Sequence, residues 1–158
     1  MDLGLFFNLE ESETSPVFDL SLSDGELESD EGIRTAVIAS LGTDRRALDS
    51  DNIPDGTDNP RGWFADYLLD NNDREGSRLW LLSRSKQTTA TSSAAEDYVK
   101  ESLAWMLIDG VASAVAVSAS WYRTGFLKID LSISRNKNDD VQFSLLWDVE
   151  AARISEVE

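Results

Sequence analysis

The sequence predicts an α+β fold: N-terminal short strands, two or three helices, and a C-terminal three-stranded antiparallel meander packed on the main helix. Three observations carry that prediction. Apolar residues recur at helical spacing from Ile33 to Leu41 and again from Ala95 to Met106. After Gly110 the period drops to two and stays there for three successive runs. With 158 residues the chain is long enough for one core that buries roughly two-thirds of its unfolded surface.

Taken in order, Leu3, Leu5 and Phe7 alternate with their neighbours, and Val17-Phe18-Asp19-Leu20-Ser21-Leu22 repeats the alternation after a polar gap containing Pro16. Two short strands are expected there, with a reversal at Asp24-Gly25. From Asp30 to Leu41, Ile33, Val37 and Leu41 share one helix face. Asp30 is placed as its N-cap and Gly42 just past its end. Residues 48–60 are nearly all turn-formers around Pro54-Asp55-Gly56 and read as an exposed loop. Trp63, Phe64 and Tyr67 are expected to form an aromatic wedge in the core under it.

A short helix is expected within Asp73–Lys86, where Leu79, Trp80 and Leu82 are apolar. Ser93-Ala94-Ala95-Glu96 has capping-box spacing, so the main helix is placed from there, with Ala95, Tyr98, Val99, Ser102, Leu103 and Met106 on one face and Gly110 at its end. The meander follows. Val111, Ser113, Val115, Val117, Ala119 and Trp121 share a face; so do Leu127, Ile129, Leu131 and Ile133; so do Val141, Phe143, Leu145, Trp147 and Val149. Thr124-Gly125 and the Asn136–Asp140 cluster supply the reversals. Residues 1–150 are expected to form a single domain, and 151–158 a flexible or partner-binding tail.

The composition closes much of ordinary enzymology. The chain has no Cys and no His, which removes disulfides, thiolate catalysis, the commonest general base and the commonest metal ligand. The formal charge is −16, and residues 1–60 carry most of it, with 15 acidic residues against 3 arginines. Such a surface repels nucleic acid and anionic membrane and suits solubility or basic partners. No run approaches the ~20 apolar residues of a membrane span, and Met1-Asp2 lacks the basic flank of a signal peptide, so a cytosolic origin is expected. No cofactor is expected. Asp49, Asp51, Asp55 and Asp58 invite a calcium reading, but an internal proline, irregular spacing and the missing closing glutamate favour a solvated loop. Ser83 and Lys86 have Ser-x-x-Lys spacing without the partner motifs of that chemistry.

Against this background Asp44-Arg45-Arg46 stands out, because an adjacent arginine pair in an acid-rich segment asks for carboxylates or phosphates to meet it. Two readings are open: a docking element, or an internal ion pair with the 49–58 loop.

Several separated motifs then occur in a characteristic order. They are Asp24-Gly25-Glu26-Leu27, Ala36–Ala47, Arg61-Gly62-Trp63-Phe64-Ala65-Asp66, Gly76–Gln87, Ala104-Trp105-Met106 and Asp109-Gly110-Val111-Ala112. Together they resemble the Mu-like phage baseplate wedge protein family, over nearly the whole chain. That family is similar to the small wedge proteins of contractile tails in T4-like phages, tailocins and type VI secretion baseplates. The resemblance implies a structural, non-enzymatic subunit of a multi-subunit hetero-oligomer in the virion tail baseplate, made in the bacterial host cytoplasm. Its implied partners are other wedge proteins, the tail hub and sheath subunits, and its implied role includes nucleating the sheath. In the wider group a Glu-Arg-Pro-like motif follows the first helix and contacts neighbours. Asp44-Arg45-Arg46 falls at that place, with Arg45 matching, Asp44 in place of Glu and Arg46 in place of Pro. Val141, Phe143, Leu145 and Trp147 are the further partner-binding residues expected, on a strand read as the sheet edge open to strand addition. The alternative function is a carboxylate-dependent, lysozyme-like peptidoglycan hydrolase.

Overall fold

The computed structural model describes residues 32–68, 74–135 and 140–157 and, ahead of them, six short strands between Asp2 and Asp30. The chain divides into two compact units, Met1–Ala39 and Ser40–Glu158.

In the first unit the two expected alternating segments do pair. β1 is Asp2–Leu3, β2 Leu5–Asn8, β3 Val17–Leu20, β4 Leu22–Ser23, β5 Glu26–Leu27 and β6 Ser29–Asp30. β2 pairs antiparallel with β3, setting Leu5 opposite Leu20 and Phe7 opposite Phe18. β4 pairs with β5 across two residues, while the Asp24-Gly25 reversal itself lies outside the described residues, as does Pro16. β1 pairs with β6, which places Asp30 in a strand opposite Asp2. Asp30 is therefore not the N-cap of the first helix. That helix, α1, spans Ile33–Gly42, and its first turn closes through Ala36 N donating to Gly32 O. Ile33, Val37 and Leu41 are buried as the four-residue spacing predicts, and Ile38 and Ser40 are buried beside them.

The second unit begins in the last turn of α1 at Ser40 and continues through loop 43–65 and two 3₁₀ turns, Asp66–Leu68 and Arg78–Leu82. Ser77 caps the second turn, its hydroxyl accepting from Leu79 N. Helix α2 spans Thr89–Ser102 and is followed after Leu103 by α3, Ala104–Ile108. α2 starts well before the expected Ser93. Thr88 is the cap, accepting from Thr91 N, and Glu96 spends its carboxylate elsewhere, accepting from the backbone N of Ala119 at 2.9 Å. No capping box forms at Ser93 because that residue lies inside α2, more than a turn past the Thr88 cap.

The sheet has four antiparallel strands in the order β10-β9-β8-β7: β7 Ala114–Arg123, β8 Phe126–Ser134, β9 Asp140–Asp148 and β10 Arg153–Val157. The meander registers as expected. Ile133 lies between Val115 and Val141, Leu131 between Val117 and Phe143, Ile129 between Ala119 and Leu145, and Leu127 between Trp121 and Trp147. Leu127, Ile129 and Ile133 are at most 1% exposed, and each such side chain withdrawn from water is worth about 1.5–3 kcal/mol. The Thr124-Gly125 reversal is a two-residue connection with Gly125 at φ 82°. The 136–139 reversal lies outside the described residues. α2 packs on β7 and on the Arg78–Leu82 turn, with Ala95, Val99 and Ser102 buried and Leu103 and Met106 continuing that face.

The meander forms as expected and is extended by one strand, because Arg153–Val157, in the segment read as a tail, pairs with β9. Ile154, 4% exposed and opposite Trp147, ties it down.

Candidate functional site

The Thr43–Ala47 segment leaves α1 extended, and its backbone is held from both sides. Ser77 N donates to Thr43 O at 2.8 Å and Arg45 N to Ser77 O at 3.0 Å, a parallel bridge centred on Asp44 and Ser77. Gly76 makes this approach possible. At φ 97° a side chain is strained, and a Cβ there would collide with the Thr43 carbonyl oxygen and sit 2.9 Å from Arg45 N. On the other side, the indole Nε1 of Trp80 donates to Arg45 O at 2.8 Å, and Ala47 N donates to Pro60 O at 2.8 Å. Trp80 is fully buried and packs with Ala47 and Leu81.

The side chains are arranged differently from the backbone. Arg61 donates from Nη1 to Asp44 Oδ2 at 2.8 Å, reaches Asp55 at 3.8 Å and lies over the Trp80 ring, 4.4 Å from its centroid. Arg61 holds this position in a left-handed conformation, φ 53°. Arg78 takes the next stretch of the acidic loop. Its Nη1 meets both oxygens of Asp51 at 3.0 and 3.1 Å, its Nε donates to Glu101 at 2.8 Å, and its guanidinium lies over Tyr98. Burial opposes the Arg78 charge, but the hydrogen bonds to Glu101 and Asp51 outweigh it and raise its pKa. Asp55 is shifted down, first by hydrogen bonds from the Thr57 hydroxyl and backbone N–H. Asp51 and Asp55 thus turn to arginine and threonine partners within the protein. Among the described residues no cluster of three acidic groups could hold a metal ion.

The sequence brings Asp44, Arg45 and Arg46 to one rigid corner, but the two arginines do not close on the 49–58 loop. Among the described residues neither makes an ion pair within 4.0 Å. Arg45 is half-buried and lines a hollow of about 230 Å³ with Arg74, Glu75, Glu101, Trp105 and Ile108. Arg46 is exposed.

The strand residues are less uniform. Val141 and Phe143 are half-buried, whereas Leu145 and Trp147 are buried in the sheet. β9 is not the sheet edge throughout. β10 pairs with Leu145–Asp148, and among the described residues no strand pairs with Asp140–Ser144 on that side. Leu145 and Trp147 are core residues because both neighbouring strands and Ile154 enclose them.

Three residues outside the expected set belong here. Arg61 and Arg78 clamp the loop across 17 to 27 residues of sequence, and only the isolated arginine in Pro60-Arg61-Gly62 hints at it. Phe64 was expected in a core wedge with Trp63; instead it is 81% exposed, its ring tilted against a half-buried Trp63 at 5.4 Å. The Tyr67 side chain lies outside the described residues.

Comparison with known proteins bears on this corner. The family described as "Phage protein GP46" matches residues 33–142, which include Asp44–Arg46, Arg61, Phe64 and Arg78 and stop short of Phe143. "Baseplate protein gp46" of Escherichia phage Mu is 44% identical over 106 residues, covering 67% of this chain and 72% of that protein. "Mu-like prophage FluMu protein gp46" of Haemophilus influenzae is 34% identical over 115 residues, covering 73% of this chain and 77% of that protein.

Proposed function

We infer the role of the chain from its family, for the chain belongs to the GP46 family of phage proteins. It is a structural, non-enzymatic subunit of a phage tail baseplate. Within that role it is a wedge component of a contractile tail, joining other wedge proteins around the hub and offering the first sheath ring a surface on which to polymerise. The host cytoplasm is where it is made, and the virion tail is where it works.

The observation that supports docking through this corner is the contrast at Asp44-Arg45-Arg46. Its backbone is tied at Thr43, Arg45 and Ala47, while the two guanidinium groups have no ion pair among the described residues. Two of the four loop acids, Asp55 and Asp51, are engaged by Arg61 and Arg78 instead. Arg45 and Arg46 are the residues that meet carboxylates of a neighbouring subunit. The Asp140–Ser144 half of β9, with Val141 and Phe143, is the place where a sheath strand adds, because β10 leaves its edge open. Leu145 and Trp147 support that strand from within the core.

The test is an Arg45→Ala/Arg46→Ala chain supplied to a tail gene set lacking its own copy. The protein stays folded, since both side chains lie outside the core, and assembly of complete tails fails. Infective particles at wild-type titre with both changes present would refute docking through this element.

A further inference from the structure

We propose that Glu96 guards the outer edge of the sheet: by taking the outward N–H of Ala119 it stops β7 from pairing with β7 of a second copy, and the free chain stays monomeric. β7 is the terminal strand of the sheet, and before Arg123 it reads Ala-Val-Ala-Val-Ser-Ala-Ser-Trp-Tyr. Edge strands are ordinarily blunted by charged side chains, proline or a bulge. This one has no charge and no proline ahead of Arg123, and its register shift lies at the far end, between Trp121 and Arg123. Ala119 stands opposite Ile129, yet its N–H goes to Glu96 Oε1 at 2.9 Å, so its main chain faces away from β8. Alternation turns the main-chain groups of Val115 and Val117 the same way. Among the described residues no hydrogen bond meets those two from outside the sheet.

The carboxylate is built into its position. α2 packs along β7 with Ala95 and Val99 buried on either side of Glu96, and Lys100, one turn on, draws the other oxygen, Oε2, to 3.8 Å. Two contacts extend the cover: Trp121 Nε1 donates to Thr88 O at 3.1 Å, and Gln87 Nε2 to Arg123 O at 3.4 Å. From Ala119 onward the edge is therefore tied to residues 87–96. A second copy is the occupant this edge suits. Two β7 strands meeting antiparallel about Val117 set Val115 opposite Ala119 at both ends, with only Ala, Val and Ser in contact and no like charges opposed. The open stretch of β9 starts instead with Asp140. In such a pair the Ala119 N–H would donate to Val115 O of the other copy. Glu96 claims that donor on each chain, so the ladder is cut at both ends and Val117 alone is left, too little to hold together two chains of −16 each.

The experiment follows the full chain, Glu96→Ala and Glu96→Gln by analytical ultracentrifugation over a wide concentration range, in about 0.5 M salt to screen the net charge. The wild type and Glu96→Gln, which keeps an acceptor oxygen, stay at the monomer mass, while Glu96→Ala rises toward twice that mass with concentration. Amide hydrogen exchange followed by NMR locates the contact. In the wild type the Ala119 amide is protected about tenfold or more over those of Val115 and Val117, and in Glu96→Ala the two valine amides gain protection as the dimer forms. Glu96→Ala remaining monomeric, Glu96→Gln associating as strongly as Glu96→Ala, association without protection at Val115 and Val117, or a wild type that already dimerises through β7 overturns the guard. The wild-type exchange comparison needs no variant: an Ala119 amide as open as those of Val115 and Val117 overturns it alone.

Discussion

Arg78→Ala is the substitution that most directly tests how the corner is held. The Arg78 and Asp51 side chains are 14% and 13% exposed, and Glu101 is 31% exposed. Truncating Arg78 leaves a nearly buried carboxylate on Asp51 without its cation and removes the guanidinium from Tyr98. Breaking a buried ion pair by deleting one partner costs about 3–5 kcal/mol. Glu101 rehydrates in part, so about 3 kcal/mol is the expected loss. With a urea slope of about 1.5 kcal/mol per molar, the unfolding midpoint falls by about 2 M. Arg61→Ala is the internal control: its pair with Asp44 is 32% and 37% exposed, and an ion pair so open to solvent is worth at most about 1 kcal/mol. Arg78→Lys recovers less than half of the loss, because one ammonium cannot fork between Asp51 and Glu101. A midpoint for Arg78→Ala within about 0.3 M of wild type, or a larger loss for Arg61→Ala, would refute the reasoning.

Two further predictions concern the same corner. Gly76→Ala lowers stability by more than about 2 kcal/mol in thermal unfolding, since it adds a backbone collision to a left-handed φ, whereas Gly125→Ala, with nothing within 4 Å, costs only about 1 kcal/mol. The Asp55 carboxyl, followed by NMR, titrates below the ordinary value of 3.8, and Thr57→Val moves it upward. Because the folded-state value is the lower one, the turn's contribution to stability is present above the unfolded value and fades as pH falls through the folded one.

Much of this architecture is written in period and spacing. β8 keeps strict alternation because one of its faces is buried, and a one-residue slip would turn Leu127, Ile129, Leu131 and Ile133 to the other face, whereas β9 breaks the pattern where Leu145, Leu146 and Trp147 are buried in succession. α1 and α2 are legible for the same reason at a period of 3.6. What escapes the sequence is long-range. Glu96 has the spacing of a capping residue, and only the fold reveals that Ala119 N claims it. β10 is hidden because a five-residue strand with Arg153 and Glu156 shows too little apolar pattern, and Ile154 gains its meaning only opposite Trp147. At the candidate site, Asp44-Arg45-Arg46 is visible as a charge anomaly. That Arg45 and Arg46 make no ion pair among the described residues is not, since Arg61 takes Asp44 and Asp55 and Arg78 takes Asp51. The exposure of Phe64 is equally invisible, as an aromatic cluster under a loop reads as core from sequence alone.

The measurement that bears most directly on the central claim is the amount of this chain in purified tails, determined by quantitative mass spectrometry for the wild type and for Arg45→Ala/Arg46→Ala. The account predicts a fixed, stoichiometric amount of the wild-type chain alongside the other baseplate subunits, and loss of the double variant from tails although it folds normally in solution. A wild-type chain absent from tails, or a double variant retained at the wild-type amount, would contradict it.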